Sequence, residues 1–265
     1  MTGETRYFFV LQTKLIYTLI LKLCLFSNGL VCKELKAIVI GVENIEYLPY
    51  YDGSDSKKPN FTGFSEKLLK QFSREFGYSV KFYPAPLNRL YRDLVTENYI
   101  DFKYPDNPQW QKSFKDTFSK SNPSIYSESI LNTVTGIASL QQNTTLSDCS
   151  RIGKVRGFTS QSYKSHFMKK QIDVVETADT TELISLLLLK RINCIYISKD
   201  VLNYKMREEF ENRVPVYFHD KLAVDVQSFH LSTVKYPDVI EQFNLYLSTH
   251  SDQVRALKQQ FDIGL

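Results

Sequence analysis

The chain has 265 residues, 43% of them hydrophobic and 14% aromatic, with 33 basic and 29 acidic side chains giving a formal charge of +4 at neutral pH. Such a composition is ordinary for a globular protein, and charges this mixed give no case for nucleic acid, which needs a basic patch or stripe. No Cys or His spacing resembles a metal site, because His166, His219, His230 and His250 lie far apart in different elements.

Residues 1–29 read as a signal peptide. Arg6 and Lys14 precede the apolar run Leu15 to Phe26, and the small or polar residues Ser27, Asn28 and Gly29 follow. Lys22 interrupts that run and leaves an uncleaved N-terminal anchor as the alternative, although the run is short for a membrane span. Gly29, Leu30 and Val31 before Cys32 do not resemble a lipobox. Removing residues 1–29 lowers the formal charge to +2 and leaves about 235 residues, enough to bury a good core.

The next element is a strand from Ala37 to Val42. The stretch Phe61 to Trp110 then compresses a helix, a strand, a second helix, a strand and an aromatic-rich loop. Phe64, Leu68, Leu69, Phe72 and Phe76 share one helical face, and Gly77 stops the helix. Val80 and Phe82 alternate within a strand that Pro84 and Pro86 are expected to end. Leu87, Leu90, Tyr91, Leu94 and Val95 restore the helical period. Ile100 to Phe102 is a short strand, closed by the turn-forming run Pro105 to Pro108.

Ser124 to Glu128 and Ile130 to Ala138 read as strands, and Leu140 to Cys149 as a polar loop between two lobes. The second lobe alternates strands at Lys154 to Phe158, Asp173 to Glu176, Cys194 to Ser198 and Val214 to Phe218 with helices at Gln161 to Lys170, Thr181 to Leu189 and Val201 to Phe210. Asp179 or Thr180 caps the middle helix. Val224 to Ser232 is a return strand, and Pro237 to Tyr246 a final helix with Pro237 in its first turn. Helices between short strands imply a parallel sheet covered by helices, with ligands at the carboxyl ends of the strands. Cys149 and Cys194 precede or open neighbouring strands; they either form a disulfide in an oxidising compartment or stay as two buried thiols.

The order strand, Leu48-Pro49-Tyr50, Gly63-Phe64-Ser65 opening a helix, GYSVKF, Arg89, and Ile100-Asp101-Phe102 resembles the bacterial family 3 extracellular solute-binding proteins, which include receptors of polar amino acid ABC transporters. IGKVRGFT, Ile152 to Thr159, resembles the opening of that family's second lobe. LLLLKRINCIYI, Leu186 to Ile197, resembles its helix, Gly-Arg-x-Asp turn and strand, with Lys190, Arg191 and Asn193 in the turn. The resemblance spans Glu34 to the C-terminus.

The resemblance implies an α/β, two-lobed periplasmic-binding-protein fold of type II, each lobe a mainly parallel sheet flanked by helices, with a hinge of two crossings. Lobe one would comprise 34–138 and 230–265, and lobe two 139–229. It implies a periplasmic protein without cofactor, acting as a monomer, that captures a small polar solute between the lobes and delivers it to an inner-membrane ABC permease. The alternatives are a sensor protein as membrane partner, or a degenerate member without ligand. An enzyme is disfavoured, since no Gly-x-Ser-x-Gly, His-Glu-x-x-His or phosphate-cradling glycine loop is present.

Candidate ligand-binding residues follow from loops leaving the strands. In lobe one they are Glu43, Tyr47 and Tyr50 after the first strand, Tyr104, Asp106 and Trp110 after the third, and Arg89 at a helix start. In lobe two Thr159 and Ser160 open a helix whose free amides can hold an anion, with Arg156 nearby. Amino acid receptors of the family place an arginine near Lys112 that forks onto the ligand's carboxylate. Lys112 cannot make that planar fork, which weighs against an ordinary α-amino acid.

Overall fold

The computed structural model of the chain describes residues 35–54, 61–118, 120–158, 160–168 and 172–264. The expected signal peptide at 1–29 and Thr159 lie outside the described residues. No helix among the described residues is long and apolar enough to cross a membrane.

Strand β1 (Lys36–Glu43) buries Ile38, Ile40 and Val42 and leads into a small hairpin of β2 (Glu46–Tyr47) and β3 (Tyr51–Asp52). Helix α1 (Phe64–Phe76) buries the face formed by Phe64, Leu68, Leu69 and Phe72, and ends on left-handed Gly77. The next strand, β4 (Tyr78–Ala85), runs parallel to β1 over its whole length. Pro84 therefore lies inside this strand instead of ending it. Because β4 stands at one end of the sheet order, a residue without an N–H is tolerated there.

Helix α2 (Leu87–Val95) buries Leu90, Tyr91 and Leu94, and β5 (Phe102–Asp106) follows. The expected turn at Pro105 is thus still strand. The ladder between this strand and the later return strand shifts register between His230 and Ser232, so the proline sits beside an irregularity and not in an unbroken ladder. Helix α3 (Lys112–Phe118) comes next, then β6 (Ile125–Tyr126) and β7 (Leu131–Ser139).

A 3-10 turn at Leu146–Asp148 precedes β8 (Arg151–Val155). Helix α4 (Lys164–Met168), β9 (Asp173–Thr177), α5 (Thr180–Leu188), β10 (Cys194–Ser198), α6 (Lys199–Glu208) and β11 (Tyr217–Phe218) follow. The Asp179 carboxylate caps α5 by accepting from the Glu182 amide at 2.8 Å. The chain closes with β12 (Asp225–Thr233), α7 (Pro237–Thr249) and α8 (Ser251–Gln260).

The strand order is β4-β1-β5-β12-β7-β10-β8-β9, with β6 on β12 and β11 on β7. Each end is a parallel set, β4-β1-β5 at one and β10-β8-β9 at the other. Between them β7 and β12 are antiparallel to each other, one strand leading out to the second parallel set and the other leading back. Against the first set pack α1 and α7, where Phe72 meets Phe243 edge-on at 4.9 Å. Against the second, Leu183, Ile184 and Leu187 of α5 are fully buried. Cys149 and Cys194 are joined in a disulfide that ties the segment before β8 to β10.

Candidate ligand-binding cleft

The carboxyl ends of β1 and β8 point into a shared space. Gly63 shapes its first wall: at φ 97° it starts α1 hard against the Tyr50–Tyr51 backbone, where an added Cβ would lie 2.9 Å from the Tyr50 carbonyl oxygen. That approach lets the Ser65 hydroxyl donate to the same carbonyl at 2.9 Å while it lies 2.8 Å from the Tyr104 hydroxyl, fixing both tyrosines.

The space is a cavity of about 240 Å3. From the first parallel set come Glu43, Tyr47, Tyr51 and Leu87, with Gln109, Trp110 and Gln111 from the loop after β5. From the second set come Gly157, Phe158, Gln161 and Tyr196. The crossing strands form the floor through Thr133 and Thr135 of β7 and Gln227 and Phe229 of β12. Tyr47 reaches Phe158 edge-on at 5.2 Å, so rings from the two parallel sets meet across the cleft. Trp110 donates from Nε1 to Gln227 Oε1 at 2.6 Å and packs edge-on against Phe229 at 5.7 Å.

Charge is buried beneath this surface. Glu43 is 6% exposed; its Oε2 accepts from the Tyr51 hydroxyl at 2.7 Å, and its Oε1 lies 3.8 Å from Lys103 Nζ. Burial pushes the Glu43 carboxyl above the usual range, against the opposing pull of Lys103 and the Tyr51 hydrogen bond. Lys103 is wholly buried, donates to the Pro105 carbonyl and sits 4.6 Å from the centre of the Tyr91 ring. Asp106 accepts from Tyr91, from Ser232 and from the Asn107 amide and pairs with Lys115 at 3.3 Å.

The second set offers amides and hydroxyls suited to an anion, but one of the chain's own carboxylates occupies them. Asp225 accepts from Ser160 Oγ at 2.6 Å, the Gln161 amide at 3.1 Å, Ser162 N at 2.9 Å and Oγ at 2.7 Å, and Tyr196 at 2.5 Å. Burial opposes ionisation of Asp225, yet these hydrogen bonds hold its carboxyl below the usual range.

Three of the sequence candidates, Glu43, Tyr47 and Trp110, line the cavity. The others serve elsewhere. Tyr50 is buried and donates to Asp200 at 2.9 Å, and Tyr104 is buried against Ser65. Asp106 lies beneath the surface in the network with Lys115. Arg89 extends outward and pairs with Asp93, four residues on, at 3.3 Å. Lys112 pairs with Asp116 at 2.8 Å on the exposed face of α3, and Arg156 is exposed beside Glu176. Ser160 is used by Asp225, and Thr159 is outside the described residues.

The crossing strands supply lining residues that no loop after a strand contains. Thr133 and Thr135, and likewise Gln227 and Phe229, are spaced by two and so share one face of paired strands. That alternation was readable in the sequence. Tyr51, Phe158, Gln161 and Tyr196 carried no signal apart from their neighbours.

No family model matches the sequence and no curated relative matches it. Solved structures do match in fold. The GluR0 ligand-binding core in complex with L-glutamate aligns with a TM-score of 0.65 at 14% identity, covering 85% of this chain and 97% of that one. An arginine transport-system periplasmic binding protein from Legionella pneumophila aligns with a TM-score of 0.65 at 11% identity, over 85% of this chain and 99% of the other. An ancestral arginine-binding protein bound to arginine gives 0.66 at 14% identity, over 86% and 99%. The fold is therefore the two-lobed, type II periplasmic-binding-protein fold, in line with the resemblance to family 3.

Proposed function

We propose that the protein is a periplasmic solute-binding protein that closes its two lobes over a small molecule and delivers it to an inner-membrane ABC permease. The observation that carries this reading is the cleft: its walls come from both parallel sets, and its floor is the pair of strands that cross between them. A ligand touching both walls stabilises the closed arrangement by whatever contacts it makes there and not in the open one. Lobe one in this reading is the β1 end with α7 and α8, lobe two is the β8 end, and β7 and β12 flex.

The surface is built for capture, not reaction. Asp101, a carboxylate near β5, is committed to the Val39 amide at 2.8 Å, and Asp106 to its buried network. We infer no catalytic role for either. The fold neighbours that bind amino acids support a small polar or amphipathic solute, and delivery to a permease follows the family resemblance.

Thermal unfolding against amino acids, polyamines, small peptides, organic acids and nucleosides tests the proposal. A bound solute at a hundred times its dissociation constant should add about 2.7 kcal/mol. A saturable shift with one class is expected. Protein freed of co-purified ligand that shifts with nothing would contradict the binding role.

A further inference from the structure

We propose that the solute this cleft accepts is an organic ammonium ion with an apolar body, held by Glu43 and the surrounding rings with no arginine involved. The inference rests on the solute-binding reading and names its ligand class.

Among the described lining residues Glu43 is the one charged side chain. It is nearly fully buried, and beyond the Tyr51 hydrogen bond its closest cationic partner, Lys103, stands at 3.8 Å, outside hydrogen-bond reach. Lys103 does not line the cavity; its Nζ is engaged by the Pro105 carbonyl and lies 4.6 Å from the centre of the Tyr91 ring and 5.8 Å from that of Trp110, behind the wall. The charged group on the cavity wall is therefore an acid, with its cationic partner Lys103 set behind it. The ion pair of Glu43 with Lys103 is too long for a hydrogen bond, so a cationic ligand can give this buried carboxylate a closer partner.

Aromatic side chains line the same cavity: Tyr47, Tyr51, Trp110, Phe158, Tyr196 and Phe229. Ring faces attract ammonium groups, most strongly where water is excluded, and their bodies suit methyl or methylene groups. A neutral solute would bring no opposite charge to Glu43. An anionic solute would face Glu43 in one lobe and, in the other, amides and hydroxyls already filled by Asp225. Arg89, Lys112 and Arg156, the cations expected near the cleft, are outside it.

Calorimetric titration of the purified protein with tetramethylammonium, choline and spermidine chlorides, with 3,3-dimethylbutan-1-ol as the uncharged isostere of choline, and with glutamate, tests this. At least one cation is expected to bind. If choline is that cation, it should bind about tenfold or more tightly than the isosteric alcohol. Glu43→Gln should remove most of the cation's advantage. If that variant fails to fold, the wild-type comparison of choline with its isostere decides alone. Equal binding of alcohol and choline would overturn the inference. So would heat from glutamate or another acid or neutral solute with none from the cations, an outcome that leaves the solute-binding role standing. Absence of binding by every class would remove both.

Discussion

Single side chains in this protein divide between those that face the cleft and those that hold it open from behind. Trp110 is the clearest of the first kind, anchored to Gln227 and Phe229 of the floor. Trp110→Ala should weaken binding of the cognate solute about tenfold or more, as loss of a central aromatic anchor does at other interfaces; calorimetry checks it. Asp225 is the clearest of the second kind. Removing it in Asp225→Ala strands the Ser160, Ser162 and Tyr196 hydroxyls and should cost about 3 kcal/mol in urea unfolding. Its folded carboxyl lies below the unfolded value, so its contribution is complete above about pH 4 and is lost as pH falls through the folded value. The wild type should therefore show an acid limb below about pH 4 that flattens in the Asp225→Ala variant.

At the scale of elements, the disulfide and the glycine at the start of α1 set how firmly the two walls are held. Cys149 and Cys194 are buried and 45 residues apart in sequence, so the bond restricts a long loop of the unfolded chain. Reduction should lower stability by up to about 4 kcal/mol on the chain-entropy argument, seen as a drop in the unfolding midpoint with dithiothreitol. Gly63→Ala would both strain a left-handed backbone and press on Tyr50, and should destabilise by about 1–3 kcal/mol.

Most elements were legible in the sequence because their periodicity is strong. Phe64 to Phe76 and Ala37 to Val42 could scarcely be read another way. Helix α3 is faint in the sequence because only Phe114 and Phe118 mark its apolar face, and α8 because only Val254 and Leu257 of its residues are buried. Pro84 and Pro105 misled for the opposite reason: tertiary placement, at an edge and beside a register shift, overrode local preference. The cleft was legible only where a loop left a strand. Asp225, one residue in a return strand, carries no sequence signal that it takes up the Ser160 hydroxyl and the Gln161 and Ser162 amides.

Across the whole molecule, contacts between the β1 end and α6 bear on the balance of open and closed arrangements. Lys205 of α6 is fully buried and pairs with Glu46 at 2.6 Å, while Asp200 accepts from Tyr50 and from the Gly264 amide. Burial works against the charge on Lys205, but hydrogen bonds to Glu209 and Glu46 raise its affinity for the proton overall. Lys205→Met should loosen this tie, enlarging the ligand-free radius of gyration in small-angle scattering, with the cognate solute restoring the compact value.

The most direct test of a solute held in this cleft uses the chain's single tryptophan, which lines it. Titrating the solute found by thermal unfolding should change Trp110 emission saturably, with the dissociation constant that calorimetry gives. A solute that binds by calorimetry yet leaves the emission unchanged would place its site elsewhere and contradict the interlobe cleft as the site of capture.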